Sequence, residues 1–287
     1  MIYLTEQRRG AVIALDSLDE GASFRWLVPD TVSLGPMIRP GGMALNPDGW
    51  LVIADSGNNR VLIVDPNTGS GVALDSTASG IGPLRQPTGV AVTGTGRLVV
   101  TDTGNHRVVF AELLAAPEWS AYGTPGDMSP GGFEAPTGVH VDGTGRILVA
   151  DPGADRLVRI DTPDGSGWTD LALPPGAKTP RPYALAAGPG GGVLVSDLLN
   201  GRILLLAADD SMSVLIDGFA DRSLIAPVAM SMLGTGIVVA DAAAARISRW
   251  TLDADSGVWS VVQQIDGRAG PRGGPAFSSL TGLIIKE

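Results

Sequence analysis

The runs "LVIAD" (51–55), "LVVTD" (98–102), "ILVAD" (147–151), "VLVSD" (193–197) and "IVVAD" (237–241) are apolar at successive positions, and each closes on an aspartate. A strand with one wet face alternates apolar and polar residues. Continuous short runs bounded by turn residues predict strands covered on both faces. Glycine-rich linkers such as "TGTG" at 93–96 precede several of them and supply the positive φ angles of tight hairpins. After each aspartate come a small polar loop, an arginine and another apolar run. The pattern predicts a β-meander, repeated.

Prolines 40, 87, 136, 182 and 227 head five copies, spaced roughly 45–49 residues apart. The closing acids are Asp55, Asp102, Asp151, Asp197 and Asp241, followed five residues later by Arg60, Arg107, Arg156, Arg202 and Arg246. One copy, "VVTDTGNHRVV" at 99–109, looks like a small active site. Its Asn105 and His106 are nevertheless replaced elsewhere by Asn58–Asn59, Ala154–Asp155, Asn200–Gly201 and Ala244–Ala245. A reaction centre is built once, so an Asp–Arg pair recurring five times reads as a structural brace between adjacent strands.

The ends complete a sixth unit. "MIYLTEQRRGAVIALD" matches the second half of a repeat, with Glu6 at the Asp position and Ala11 at the Arg position. "AFSSLTGLIIK" matches "GFEAPTGVHVD", placing Phe277 on Phe133 and Leu280 on Pro136. The expected fold is all-β: a six-bladed β-propeller of four-stranded antiparallel blades. The expected blades of this single domain are 40–86, 87–135, 136–181, 182–226 and 227–279, plus a closing blade, 280–287 with 1–39, shared by both termini.

Composition narrows the chemistry. The 287 residues include 40 Gly and 21 Pro but are 44% hydrophobic and 17% charged, which suits a turn-rich folded domain. A formal net charge of −10 repels phosphate backbones, so no nucleic-acid partner is expected. The absence of cysteine excludes disulfides and thiolate metal sites. With no long apolar window and no basic-then-apolar leader, a soluble protein without membrane insertion is expected, cytoplasmic only by default, its localisation unassigned.

The stretch "PTGVAV…RLVVTDTGNHRVV" resembles the NHL repeat, named for the loop that here reads Asn105-His106-Arg107. The resemblance extends over nearly the whole chain in six units. It implies the propeller fold and a range of roles: lyase, lactonase- or synthase-like enzymes, RNA-binding modules and protein-binding propellers. Lyase-like relatives imply several channel histidines on a metal, whereas this chain has 2 His. Lactonase-like relatives imply a divalent cation held by acidic and amide side chains. Here the acids fall mostly at brace or turn positions, with Glu6 and Glu287 close together in the closing blade.

Function is therefore sought where the repeat is broken. Four residues after each marker come Ala44, Ala91, His140, Ala186, Ser231 and Ile284, which makes His140 the channel candidate. Arg39, Arg85, Arg181, Tyr183 and Arg222 precede or open innermost strands and make a candidate partner-binding rim. "DADSG" (253–257) reads as a hairpin turn, "GPGGG" (188–192) as no phosphate loop, and 118–133 as a connection between blades. The expectation is a non-enzymatic interaction or scaffold module, alone or as a component of a larger assembly, with a protein partner and neither cofactor nor metal. The alternative is a metal-dependent lactonase- or lyase-like enzyme acting at the central channel.

Overall fold

Each apolar run pairs with its neighbours through the backbone, because buried strands must satisfy every N–H and C=O within the sheet. The structure, a computed structural model, describes residues 1–19, 22–27, 34–75, 80–112, 118–125, 131–218, 223–267 and 279–286. Six antiparallel sheets of four strands form a ring. Blade I joins Leu280–Ile285 to Ile2–Glu6, Ala11–Leu15 and Phe24–Leu27, so both ends of the chain meet in one sheet. The innermost strands of blades II to VI are Pro40–Leu45, Pro87–Val92, Val139–Val141, Pro182–Ala187 and Pro227–Leu233. Neighbouring innermost strands touch all the way round. No helix among the described residues is long and apolar enough to cross a membrane.

The second strands, such as Leu51–Asp55 and Ile147–Asp151, are buried at every position, as continuous apolar runs require. Their two faces feed the clusters on either side. Leu51 and Ile53 pack toward blade I, Val52 and Ala54 toward blade III. The core is thus a set of inter-blade layers rather than one central mass.

Asp and Arg of each brace are directly opposed across two strands, as in Asp55↔Arg60 and Asp197↔Arg202. In blade I the same register holds Glu6↔Ala11. The segment 118–133 contributes the outermost strand of blade III, Trp119–Tyr122, and a short parallel bridge between Thr124–Pro125 and Gly132–Phe133. Phe133 is fully buried and its ring lies 5.1 Å from that of Trp168, so an aromatic contact anchors this connection between blades. At 253–257, the Gly257 amide closes onto the Asp253 carbonyl at 2.9 Å, which makes a hairpin turn.

Candidate interaction face and channel mouth

The brace aspartates are fully buried. A buried carboxylate needs donors, and each has several. Asp102 accepts from Arg107 Nε at 2.7 Å, Asn105 Nδ2 at 2.8 Å and the Arg85 amide at 2.6 Å. Asp55 takes the Ile38 amide and Asp197 the Arg181 amide in the same way. Arg60 Nε lies 2.7 Å from Asp55, Arg156 Nε 3.2 Å from Asp151, Arg202 Nε 2.8 Å from Asp197, and Arg246 Nη2 3.5 Å from Asp241. The arginines then reach carbonyls of the incoming crossover, as Arg107 Nη1 does at Ile81 O and Arg202 Nη2 at Pro174 O. Each constellation therefore pins the segment arriving from the previous blade, not only its own loop.

These loops and the segments before the innermost strands share one face. In every blade the residue before the Arg position is left-handed: Gly10, Asn59, His106, Asp155, Gly201 and Ala245 have φ between 51° and 58°. Five of them reach the segment entering the next blade. Asn59 Oδ1 accepts the Gln86 amide at 2.8 Å, Asp155 pairs with Arg181 at 3.0 Å, and His106 Nδ1 bonds the Glu134 carbonyl. At Gly10 and Gly201 the contact is backbone on backbone, against Met37 and Leu224. His106 thus ties blade III to blade IV.

At the centre of this face is a cavity of about 230 Å³ to which all six innermost strands contribute. A bulge at the start of most of these strands lifts the residues just after the marker out of the ladder and turns them toward it. The lining is lopsided. Blades I to IV supply Thr281–Gly282, Gly41–Gly42, Thr88–Gly89 and Thr137–Gly138, whereas blades V and VI supply Tyr183–Ala184 and Val228–Ala229.

Glycine lets the strands close up: a Cβ on Gly89 falls 2.1 Å from the Thr137 carbonyl oxygen, and one on Gly138 falls 2.4 Å from that of Tyr183. Hydroxyls stitch the same junctions. Thr281 Oγ1 donates to Pro40 O at 2.6 Å, Thr103 Oγ1 to Pro136 O at 2.6 Å, and Thr137 Oγ1 to Tyr183 O at 2.9 Å. The other side is apolar, with Tyr183 packed on the cluster that holds Val228, Ala229 and Leu283. One half of the mouth offers backbone and hydroxyl groups, the other hydrocarbon.

Of the rim candidates, Arg39 and Arg85 are exposed, and Arg39 lines the mouth together with Gln7 and Gln86. Arg181 is engaged by Asp155. Tyr183 forms part of the wall, and burial raises its hydroxyl pKa above the usual 10.0. Arg222, like Phe277 and Glu287, lies outside the described residues. His140 is half-buried opposite Leu148 and is not part of the mouth lining. Its equivalents Ala44, Ala91, Ala186 and Ile284 pack in the gaps between blades. Burial lowers its pKa below 6.5, with Asp142 partly opposing. The positions that shape the mouth are instead one and two residues after the marker. Their sequence signal was available as the change from "PTG" to "PYA" and "PVA".

Among the described residues, no three His, Asp or Glu side chains form a group able to hold a metal ion. A histidine-rich metal centre of the lyase kind does not fit the residues described at the mouth.

The NHL repeat family matches residues 38–64 and 84–109. Comparison with curated proteins finds no match. Among solved structures, a chain of the nidogen/laminin complex superposes with TM-score 0.73 at 15% identity, covering 98% of this chain and 96% of that one. Virginiamycin B lyase from Staphylococcus aureus superposes with TM-score 0.58 at 16% identity, covering 78% of this chain and 69% of that one. A protein from Lactobacillus plantarum gives 0.56 at 11% identity over 100% and 99%. At such identities the shared property is the fold. With the ring of six blades and the recurring brace, the chain is a six-bladed β-propeller in which residues 38–64 and 84–109 match the NHL repeat.

Proposed function

We propose that this propeller is a non-enzymatic protein-interaction module that docks its partner on the channel-mouth face. The observation that carries the reading is the pair of exposed arginines, Arg39 and Arg85, on the rim of a rigid ring whose net charge is −10. Loops held by a stiff scaffold are where binding side chains belong, and arginine and tyrosine are favoured interface anchors. Kinship of fold with a chain of the nidogen/laminin complex is consistent with this role.

The test is a variant with Arg39, Arg181 and Tyr183 all changed to Ala. It weakens partner binding while leaving the thermal transition cooperative, whereas His140→Ala leaves binding intact. Undiminished binding by the triple variant removes this face from the proposal.

A second reading, a metal-dependent lactonase- or lyase-like enzyme, is favoured by the mouth cavity and by the fold likeness to virginiamycin B lyase. Its mark is stoichiometric bound divalent metal, with lactone or ester cleavage that chelation abolishes.

A further inference from the structure

The cations of this chain are sorted by face. Arg60, Arg107, Arg156 and Arg202 are consumed by their brace aspartates, and Arg146 and Arg159 by Asp142 and Asp210 on the far side of the ring. Arg8, Arg39 and Arg85 are exposed, and their side chains have neither an ion pair nor a hydrogen bond among the described residues. All three are on the mouth face, in adjacent sectors. The loop holding Arg8 abuts the segment that ends in Arg39, since a Cβ on Gly10 meets Met37 O at 2.2 Å. The turns of the opposite face carry Asp48, Asp65, Asp164, Asp209 and Asp253. The mouth face is thus cationic in the sectors of Arg8, Arg39 and Arg85, with exposed Glu134 in the place of Arg85 in the next blade, and the turns behind are acidic.

Two further features of the mouth point to a ligand. Arg39 and Gln86, each directly before a proline, have φ of 49° and 48°, a conformation that bulky residues rarely adopt. Both line the cavity, and strain of this kind gathers at binding sites. The cavity, at about 230 Å³, holds one large side chain rather than a folded element, and its apolar wall of Tyr183 and Val228 faces the polar wall of Thr88 and Thr137.

We propose that the mouth face captures an acidic, extended protein segment whose carboxylates meet Arg8, Arg39 and Arg85 while one bulky apolar side chain enters the cavity. The proposal rests on the docking reading above and names the partner's chemistry. Charge complementarity selects an acidic segment, because Arg8, Arg39 and Arg85 attract it while the acidic turns of the far face and the net charge of −10 repel it. A nucleic acid, also anionic, meets the same global repulsion along a much longer polymer.

The probe is a short fluorescent peptide of alternating Glu and Asp with one central Trp, followed by fluorescence anisotropy. Three controls accompany it: the same peptide with Ser for Trp, a Lys-rich peptide with the same Trp, and single-stranded oligouridine. The acidic Trp peptide binds the full chain, with an affinity that falls steeply as salt rises toward physiological strength. Arg8→Glu, Arg39→Glu and Arg85→Glu together weaken it by at least about tenfold, as does Ser for Trp in the peptide. A variant too poorly folded to assay is replaced by Arg39→Gln alone, and the salt dependence of the wild-type chain is a further reading. Equal binding of the Lys-rich peptide or of oligouridine overturns the proposal, and so does no binding of the acidic peptide. If the acidic peptide fails while the Arg39/Arg181/Tyr183 variant still loses a protein partner, the acidic-segment inference falls and the docking reading stands.

Discussion

Asp102 shows what a single side chain does in this ring. It is fully buried and holds Arg107, Asn105 and the Arg85 amide at once. Arg107→Ala leaves two of those donors in place and costs about 1–3 kcal/mol. Asp102→Ala strands three donors, one of them the half-buried Arg107 guanidinium, and costs more than Arg107→Ala, about 3 kcal/mol or above. His106 is half-exposed and bonds one carbonyl, so His106→Ala costs less than either. Denaturant unfolding of the three variants gives the order directly. A loss at His106 as large as that at Asp102 contradicts the assignment of the buried carboxylate as the centre of the cluster.

At the scale of the element, much was legible and some was not. The second and third strands could be read because burial on both faces forces continuous apolar runs, and the brace because Asp and Arg recur at one spacing. The pinning of crossovers was not legible: it is made by backbone amides and carbonyls, which have no letter in the sequence. The eccentric mouth left a signal, the change from "PTG" to "PYA" and "PVA", which gains its meaning only when Gly89 is seen against Thr137 O. His140 stood out as the one imidazole on an innermost strand, yet the mouth is shaped by bulged residues nearer the strand start.

The left-handed position before each brace arginine gives a sharper case. Gly, Asn, His and Asp tolerate φ near 55°, but blade VI places Ala245 there at φ 51°. Ala245→Gly relieves that strain and stabilises the protein by about 1 kcal/mol, raising the thermal midpoint by roughly 2–4 °C. A lowered midpoint means that the packing of this buried methyl outweighs the backbone strain.

For the whole molecule the closing blade is the seam. Leu280–Ile285 pairs with Ile2–Glu6, and the Met1 amine and Lys286 amide exchange bonds with each other's carbonyls at 2.9 Å. This blade has Glu6 and Ala11 where the others have the brace, and Glu6 takes the Arg9 amide at 2.7 Å instead. Removing residues 280–287 deletes an innermost strand, exposes the edge of Ile2–Glu6 and opens the ring. Calorimetry of the truncated chain shows loss of the cooperative transition, or aggregation. An unchanged transition contradicts this closure.

The claim that the mouth face is the working surface is tested most directly by photo-crosslinking in the native cell. One protein carries a photoreactive residue at Arg85 on the mouth face, another at Asp209 in a turn on the far face. Both sites are exposed. Covalent adducts to a distinct protein from position 85, with none from position 209, are the predicted result. Adducts confined to position 209, or equal yields from both, contradict it.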